Sequence, residues 1–201
     1  MSYILLVLDS DKDIKVFGPA GNEITGYSFI EEPLVDDTGG SEKSGKSLTV
    51  FQYPTPLSGK YEVEVTGPSG TYSLNSYLYK TDGSVTINSY QGLIKEGQTD
   101  NFLLSFGGAS QSTVPVITID SLIDDLDNAY FQGLITKKTV YQSLKQEFQN
   151  VKKMLQKNGK KQAIRTLTYI KNDIAKNTPR YVKQPASNIL RNNIEALISS
   201  F

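Results

Sequence analysis

The chain has no cysteine, no histidine and no tryptophan among its 201 residues. Without cysteine there is no disulfide framework, no thiolate zinc ligand and no cysteine nucleophile. Without histidine there is no imidazole zinc site and no triad that runs through imidazole. Long apolar runs are missing as well. The longest, Tyr3 to Leu8, is far too short to span a bilayer, and no basic, apolar, small-residue signal series opens the chain. A soluble globular chain is therefore expected, with no transmembrane segment and no cofactor. Its length suits one large domain or two small ones, each able to bury a core.

What is there divides into two halves. The 21 basic and 21 acidic residues balance over the whole chain. Residues 1 to 112, however, carry 7 lysines against 14 acids, a net of −7, and residues 113 to 201 carry 14 basic residues against 7 acids, a net of +7. Glycine divides more sharply, 14 in the first part and 2 in the second. Tight turns need glycine and helix interiors resist it, so a turn-rich β module followed by a helical module is expected. The small, polar stretch Gly107 to Pro115 suits a linker.

In the first module Tyr61, Val63 and Val65 alternate with Glu62, Glu64 and Thr66, the period of a strand with one buried face. Asp82-Gly83 between two such runs is a hairpin turn signal. With Tyr3 to Leu8, Ile14 to Phe17, Leu48 to Tyr53 and Phe102 to Phe106, about seven strands at short spacing predict an antiparallel β-sandwich. In the second module the period changes to three and four. A first helix is expected from Ser121 to Phe131, capped by Asp120 or Ser121, with Gly133 just past its end. Three more carry Val140, Leu144, Phe148, Val151 and Leu155; Ala163, Leu167, Ile170 and Ile174; and Ala186, Leu190, Ile194 and Leu197. The expected fold class is α+β as two modules: a β-sandwich over 1–106, a linker over 107–118 and an up-and-down four-helix bundle over 119–201.

Four patterns invite a chemical reading. Gly40 to Ser47 fits G-x-x-x-x-G-K-S, but a phosphate-binding loop needs a buried strand before it and a helix after it. Here an acidic, proline-interrupted stretch precedes it, and Leu48 to Pro54 reads as a strand, so a surface loop is expected. Asp9, Asp11 and Asp13 sit at alternate positions as in the first half of a calcium loop, yet positions 6 and 12 hold Ile14 and Ala20. The three acids are candidate metal ligands in a non-EF site, against the simpler reading of a polar turn. Lys138, Lys145 and Lys152 recur every seven residues and share a helix face. They are candidate contacts for an anionic cell-wall polymer or a partner protein, against the reading of a solvated face. Nucleic acid is disfavoured, because arginine is scarce and no DNA-reading motif appears. Tyrosine reaches 12, and Tyr77 and Tyr79, near Tyr72 and Tyr90 on adjoining strands, are candidates for stacking on a glycan, against ordinary strand packing. No pair of acids has a spacing that marks a general acid and base.

The helical segment from Ile119 to Phe201 resembles the FIMAH domain in its run Leu126, Gly133-Leu134-Ile135, Tyr141-Gln142-Ser143-Leu144, Ala163, Leu167, Ile174 and the closing Ala186, Leu190, Leu197-Ile198. That resemblance implies a small helical module at the C-terminal end of a large secreted or surface bacterial protein, without catalytic residues. The β module, through Phe17-Gly18-Pro19-Ala20-Gly21 and Pro56-x-x-Gly59-Lys60-Tyr61, is similar to accessory sandwich domains of bacterial exoproteins. Together they imply a non-catalytic C-terminal accessory module that spaces, stabilises or attaches upstream domains of a longer chain. The alternative is a binding module for an anionic cell-wall polymer or a glycan.

Overall fold

A computed structural model describes residues 1–31, 48–108 and 110–201. The chain divides into two compact units, Met1–Val116 and Ile117–Phe201. The first holds nine strands among the described residues: β1 (Tyr3–Asp9), β2 (Asp13–Phe17), β3 (Tyr27–Glu31), β4 (Leu48–Pro54), β5 (Gly59–Thr66), β6 (Gly70–Tyr79), β7 (Val85–Ile94), β8 (Thr99–Phe106) and β9 (Ser112–Pro115). They form a five-stranded sheet in the order β3-β4-β1-β6-β7 and a four-stranded sheet in the order β2-β5-β8-β9. All the pairings are antiparallel.

The two sheets share one core, as a sandwich requires. Ile4, Leu6, Leu8, Phe51, Tyr72, Leu74, Leu78 and Ile94 come from the five-stranded sheet. Val16, Tyr61, Val63, Val65, Phe102, Leu104 and Phe106 come from the other. Each fully buried aliphatic or phenyl side chain contributes about 1.5–3 kcal/mol relative to exposure. The Asp82-Gly83 turn closes as its sequence dictates. Gly83 has φ +86°, its N–H donates to the Lys80 carbonyl at 3.1 Å, and the Asp82 carboxylate accepts from the Ser84 N–H at 2.8 Å.

The expected linker is in part a strand. Ser112–Pro115 pairs along β8, with Ser105 opposite Ser112 and Phe102 opposite Pro115. The β-branched pair Thr113-Val114 favours extension, and Pro115 is tolerated because β9 is an edge strand. Thr113 also ties this edge to the opposite sheet. Its hydroxyl accepts from Ser76 at 2.8 Å, and its N–H donates to the Asn88 side chain at 2.9 Å.

The second unit is four helices, α1 (Ile119–Phe131), α2 (Lys138–Gln156), α3 (Lys160–Asn177) and α4 (Gln184–Ser199). Each packs on its neighbours in sequence, and α4 closes on α1, which makes a bundle. The expected apolar stripes meet inside it, with Leu122, Leu126, Leu144, Phe148, Leu167, Ile174, Leu190 and Ile194 all inaccessible to water. The first helix starts earlier than expected. Thr118 is its N-cap, and Ser121 stands at the third helical position, where the two side chains and backbones exchange bonds in a capping box. At one end of the bundle the two loops pair through main chain. Ile135 bridges Val182, the Thr136 N–H donates to the Tyr181 carbonyl at 2.9 Å, and the Lys183 N–H donates to the Leu134 carbonyl at 2.8 Å.

Candidate functional site

The three aspartates of the β1–β2 turn do not gather into one cluster. Among the described residues no group of three or more acidic side chains converges to hold an ion. The reason lies in the turn itself. Asp9 ends a strand of the five-stranded sheet and Asp13 begins one of the four-stranded sheet, so the chain crosses between layers and spreads the carboxylates. Between them Lys12 folds inward, its side chain 1% exposed and its ammonium 3.2 Å from the Asp11 carboxylate. Its stem lies against Gly67, where an added Cβ would meet Lys12 Cγ at 3.0 Å, and its carbonyl accepts from Thr49 at 3.0 Å.

The phosphate-loop pattern at 40–47 lies outside the described residues. The segment that follows it is strand β4, paired with both β1 and β3, where a phosphate loop requires a helix.

The seven-residue lysine repeat is largely a helix-to-helix seam. Lys145 reaches Asp127 of α1 with bonds of 2.8 and 2.9 Å, and Lys152 reaches Asp120 at 2.5 Å. The acids are themselves seven residues apart, so the antiparallel helices match charge to charge. Tyr141 donates to Asp127 at 2.9 Å and stacks on Tyr130 with ring centroids 4.1 Å apart. The hydrogen bonds to Asp127 and then to Tyr141 push the Lys145 pKa up. Asp124 lies between the two pairs. Partial shielding from water and the carboxylates of Asp127 and Asp120 raise its pKa, while Lys145 and Lys152 oppose the rise. Of the three lysines, Lys138 is the exposed one, before the seam begins. Replacing Asp127 with alanine is expected to cost the bundle about 1 kcal/mol, because one carboxylate partners both Lys145 and Tyr141. Urea unfolding checks it, and the penalty should shrink in 0.5 M salt; a loss independent of salt would show that the ion pair is not its source.

The tyrosines separate two and two. Strand alternation puts Tyr72 in the core, and Tyr90 packs there edge-on to Phe102 at 4.9 Å between centroids. Tyr77 and Tyr79 face outward from the five-stranded sheet. Register then builds two adjoining cross-strand rows. In one, Tyr27, Gln52, Leu5, Tyr77 and Ile87 lie opposite one another across all five strands. In the other, Pro54, Tyr3, Tyr79 and Val85 do so across four. Tyr3 and Tyr79 stack with centroids 4.0 Å apart and planes at 19°. Their shared hydrogen bond is the main cause that pushes the Tyr3 phenol up. Tyr27 is 71% exposed, Ile87 61% and Val85 40%. At about 4.8 Å per strand the longer row spans roughly 19 Å. Neither row carries a charged side chain.

Sequence reasoning missed Tyr3 and Tyr27 as members of this face. A signal existed, since Tyr3 to Leu8 is apolar at every position and such a strand turns apolar groups to both sides of its sheet. It also missed a cavity of about 340 Å³ lined by Pro19, Ile24, Tyr53, Leu57 and Tyr61 among others, where the Tyr61 hydroxyl donates to the Leu57 carbonyl at 2.7 Å.

Among the described residues no helix is long and apolar enough to cross a membrane. The architecture defines the class, a β-sandwich unit and a four-helix unit in one α+β chain. Compared with known proteins, the chain matches no family model, no curated protein and no solved structure.

Proposed function

We propose that this chain is a non-catalytic accessory module of a secreted or cell-surface bacterial protein, where it spaces, stabilises or attaches an upstream domain, and that it attaches by binding a glycan on the tyrosine face of the sandwich. The observation that carries the glycan reading is the pair of uncharged rows, Tyr27-Gln52-Leu5-Tyr77-Ile87 and Pro54-Tyr3-Tyr79-Val85. Tyrosine combines an apolar ring with a hydroxyl. The ring takes the C–H face of a pyranose, and the hydroxyl, with the amides of Gln52 and Asn75 nearby on the same face, takes its hydroxyl groups. A face of this size on a single molecule marks an interaction site. The resemblance of the helical segment to the FIMAH domain, and of the β module to accessory sandwich domains, adds the placement in an exoprotein.

Two measurements test it. Affinity electrophoresis of the whole chain through soluble polysaccharides should show retardation that survives 500 mM salt, because stacking on sugar is not screened. Tyr77→Ala should weaken it about tenfold, as removal of a stacked ring worth about 1 kcal/mol or more would. Retardation by none of the polysaccharides would remove the glycan; turnover of a glycan, peptide or ester by the pure chain would remove the accessory role. Immunoblots of fractionated source cells should give a band well above 22.2 kDa in envelope or medium. A cytosolic band at 22.2 kDa would discard the exoprotein.

A further inference from the structure

We infer that the helical unit carries a second, independent binding site, for a phosphodiester polymer without aromatic bases, at the end of the bundle where the loop after α1 meets the loop after α3. Residues 128–140 and 176–188 bring Lys137, Lys138, Lys176, Arg180 and Lys183 to this end, and neither segment contains an aspartate or glutamate. All five cations are exposed. The two loops that carry three of them, Lys137, Arg180 and Lys183, are fixed to one another by the main-chain bonds of Thr136 to Tyr181 and Lys183 to Leu134. The platform is therefore rigid before anything binds. Tyr181 organises it: the Lys137 ammonium lies 4.5 Å and the Arg180 guanidinium 4.9 Å from the centre of its ring.

Two of these charges are placed against local stability, while Lys176 sits in the last turn of α3, where a cation is favourable. Lys137 and Lys183 are the N-caps of α2 and α4, and neither helix has a side-chain cap or an acid in its first turn. A cation at the positive end of a helix is unfavourable, and serine, threonine, aspartate or asparagine would satisfy the free amides there. Three lysines elsewhere in the unit are matched, Lys145 with Asp127, Lys152 with Asp120 and Lys171 with Glu195 at 2.6 Å. Two N-cap lysines that break the local rules, with no side-chain cap and no acid in the turn that follows, are what an external anion would compensate.

The ligand's chemistry follows from the surface. The cations are spread over an open end rather than gathered in a cavity, so repeated charges on one chain neutralise more of them than a single phosphate does. Single-stranded nucleic acid draws much of its affinity from base stacking, and the ring at the centre already holds two cations.

The test uses the whole chain and poly(glycerol phosphate), with oligothymidylate of equal phosphate number and phosphatidylglycerol vesicles as competitors. The polymer should bind at 50 mM salt and lose on the order of 100-fold in affinity by 200 mM. K137E/R180E/K183E should abolish binding, whereas K157E/K160E/K161E, with the same change of net charge, should weaken it only a few-fold. Lys183→Ser should raise the Tm of the helical signal by a few degrees while it weakens binding, so loss of affinity is not loss of fold. Equal loss in both triple variants, tenfold tighter binding of oligothymidylate, binding to vesicles alone, or no binding at all would each overturn the site. None of these outcomes touches the tyrosine face.

Discussion

Replacing Gly92 with alanine should cost the β unit about 3–4 kcal/mol, on a total stability that for a domain of this size is about 5–15 kcal/mol. Gly92 lies directly opposite Tyr72 across the β6–β7 pair, and a Cβ there would overlap the ring carbons and hydroxyl of Tyr72. Its backbone is ordinary; what the position requires is the space. That ring cannot easily swing away. It is 3% exposed, its centroid is 6.4 Å from that of Tyr90, Tyr90 packs on Phe102, and its hydroxyl bonds to the carboxylate of Asp100 on the opposite sheet. Overpacking alone costs about 1–3 kcal/mol, and losing the bond to a carboxylate adds about 1–3 kcal/mol. Urea unfolding of the β signal measures the sum. A smaller side chain at 72 should restore part of it, so Gly92→Ala/Tyr72→Val should be less unstable than the two single costs added. A single variant that melts within a degree of the parent would show that the ring has another place to go.

The same ring illustrates what a linear reading reaches. The hairpin β6–β7 was legible because Asp82-Gly83 and the alternation beside it are local, and the bundle was legible because its apolar stripes repeat within each helix. The order of strands was not. Tyr3 stacks on Tyr79, which is distant in sequence and brought alongside only because β1 lies between β4 and β6. A period of two says which residues share a face and nothing about which strand comes next, so the tyrosine face could be seen as Tyr77 and Tyr79 but not as two rows. Short edge strands suffer most, since β3 and β9 owe their pairing to distant partners rather than to a strong pattern of their own. The lysine repeat was legible only in part. Lys138, Lys145 and Lys152 share a face, and the matching spacing of Asp120 and Asp127 on the preceding helix was the signal that two of the three pair with that helix. The linker failed because Ser-Thr-Val-Pro is as ordinary in an edge strand as in a tether.

Asn193→Leu should cost the helical unit about 3 kcal/mol even though it adds apolar surface to a core position. Asn193 on α4 is 2% exposed, and its side-chain amide donates to the carboxylate of Asp125 on α1, itself 6% exposed, at 2.8 Å. Taking the donor away leaves a buried carboxylate with less to hold its charge, the kind of loss that costs far more than an intact pair contributes. Replacing both, as Asp125→Leu/Asn193→Leu, removes the charge with its partner and should recover much of the stability, with a coupling of about 1–3 kcal/mol between the sites. Thermal melts of the four proteins close the cycle; Asn193→Leu at or above the parent would show that Asp125 has no need of the amide. The recovered double variant would still lack something. The apolar residues that α1 and α4 bury are aliphatic, Leu122 and Leu126 on one helix and Leu190, Ile194 and Leu197 on the other, and aliphatic surfaces slide over one another at small cost. A buried polar pair is satisfied in one register alone. The double variant should therefore match the parent in melting temperature more closely than in the protection of its α1 and α4 amides from exchange, with the fixed register that holds both helices surrendered first.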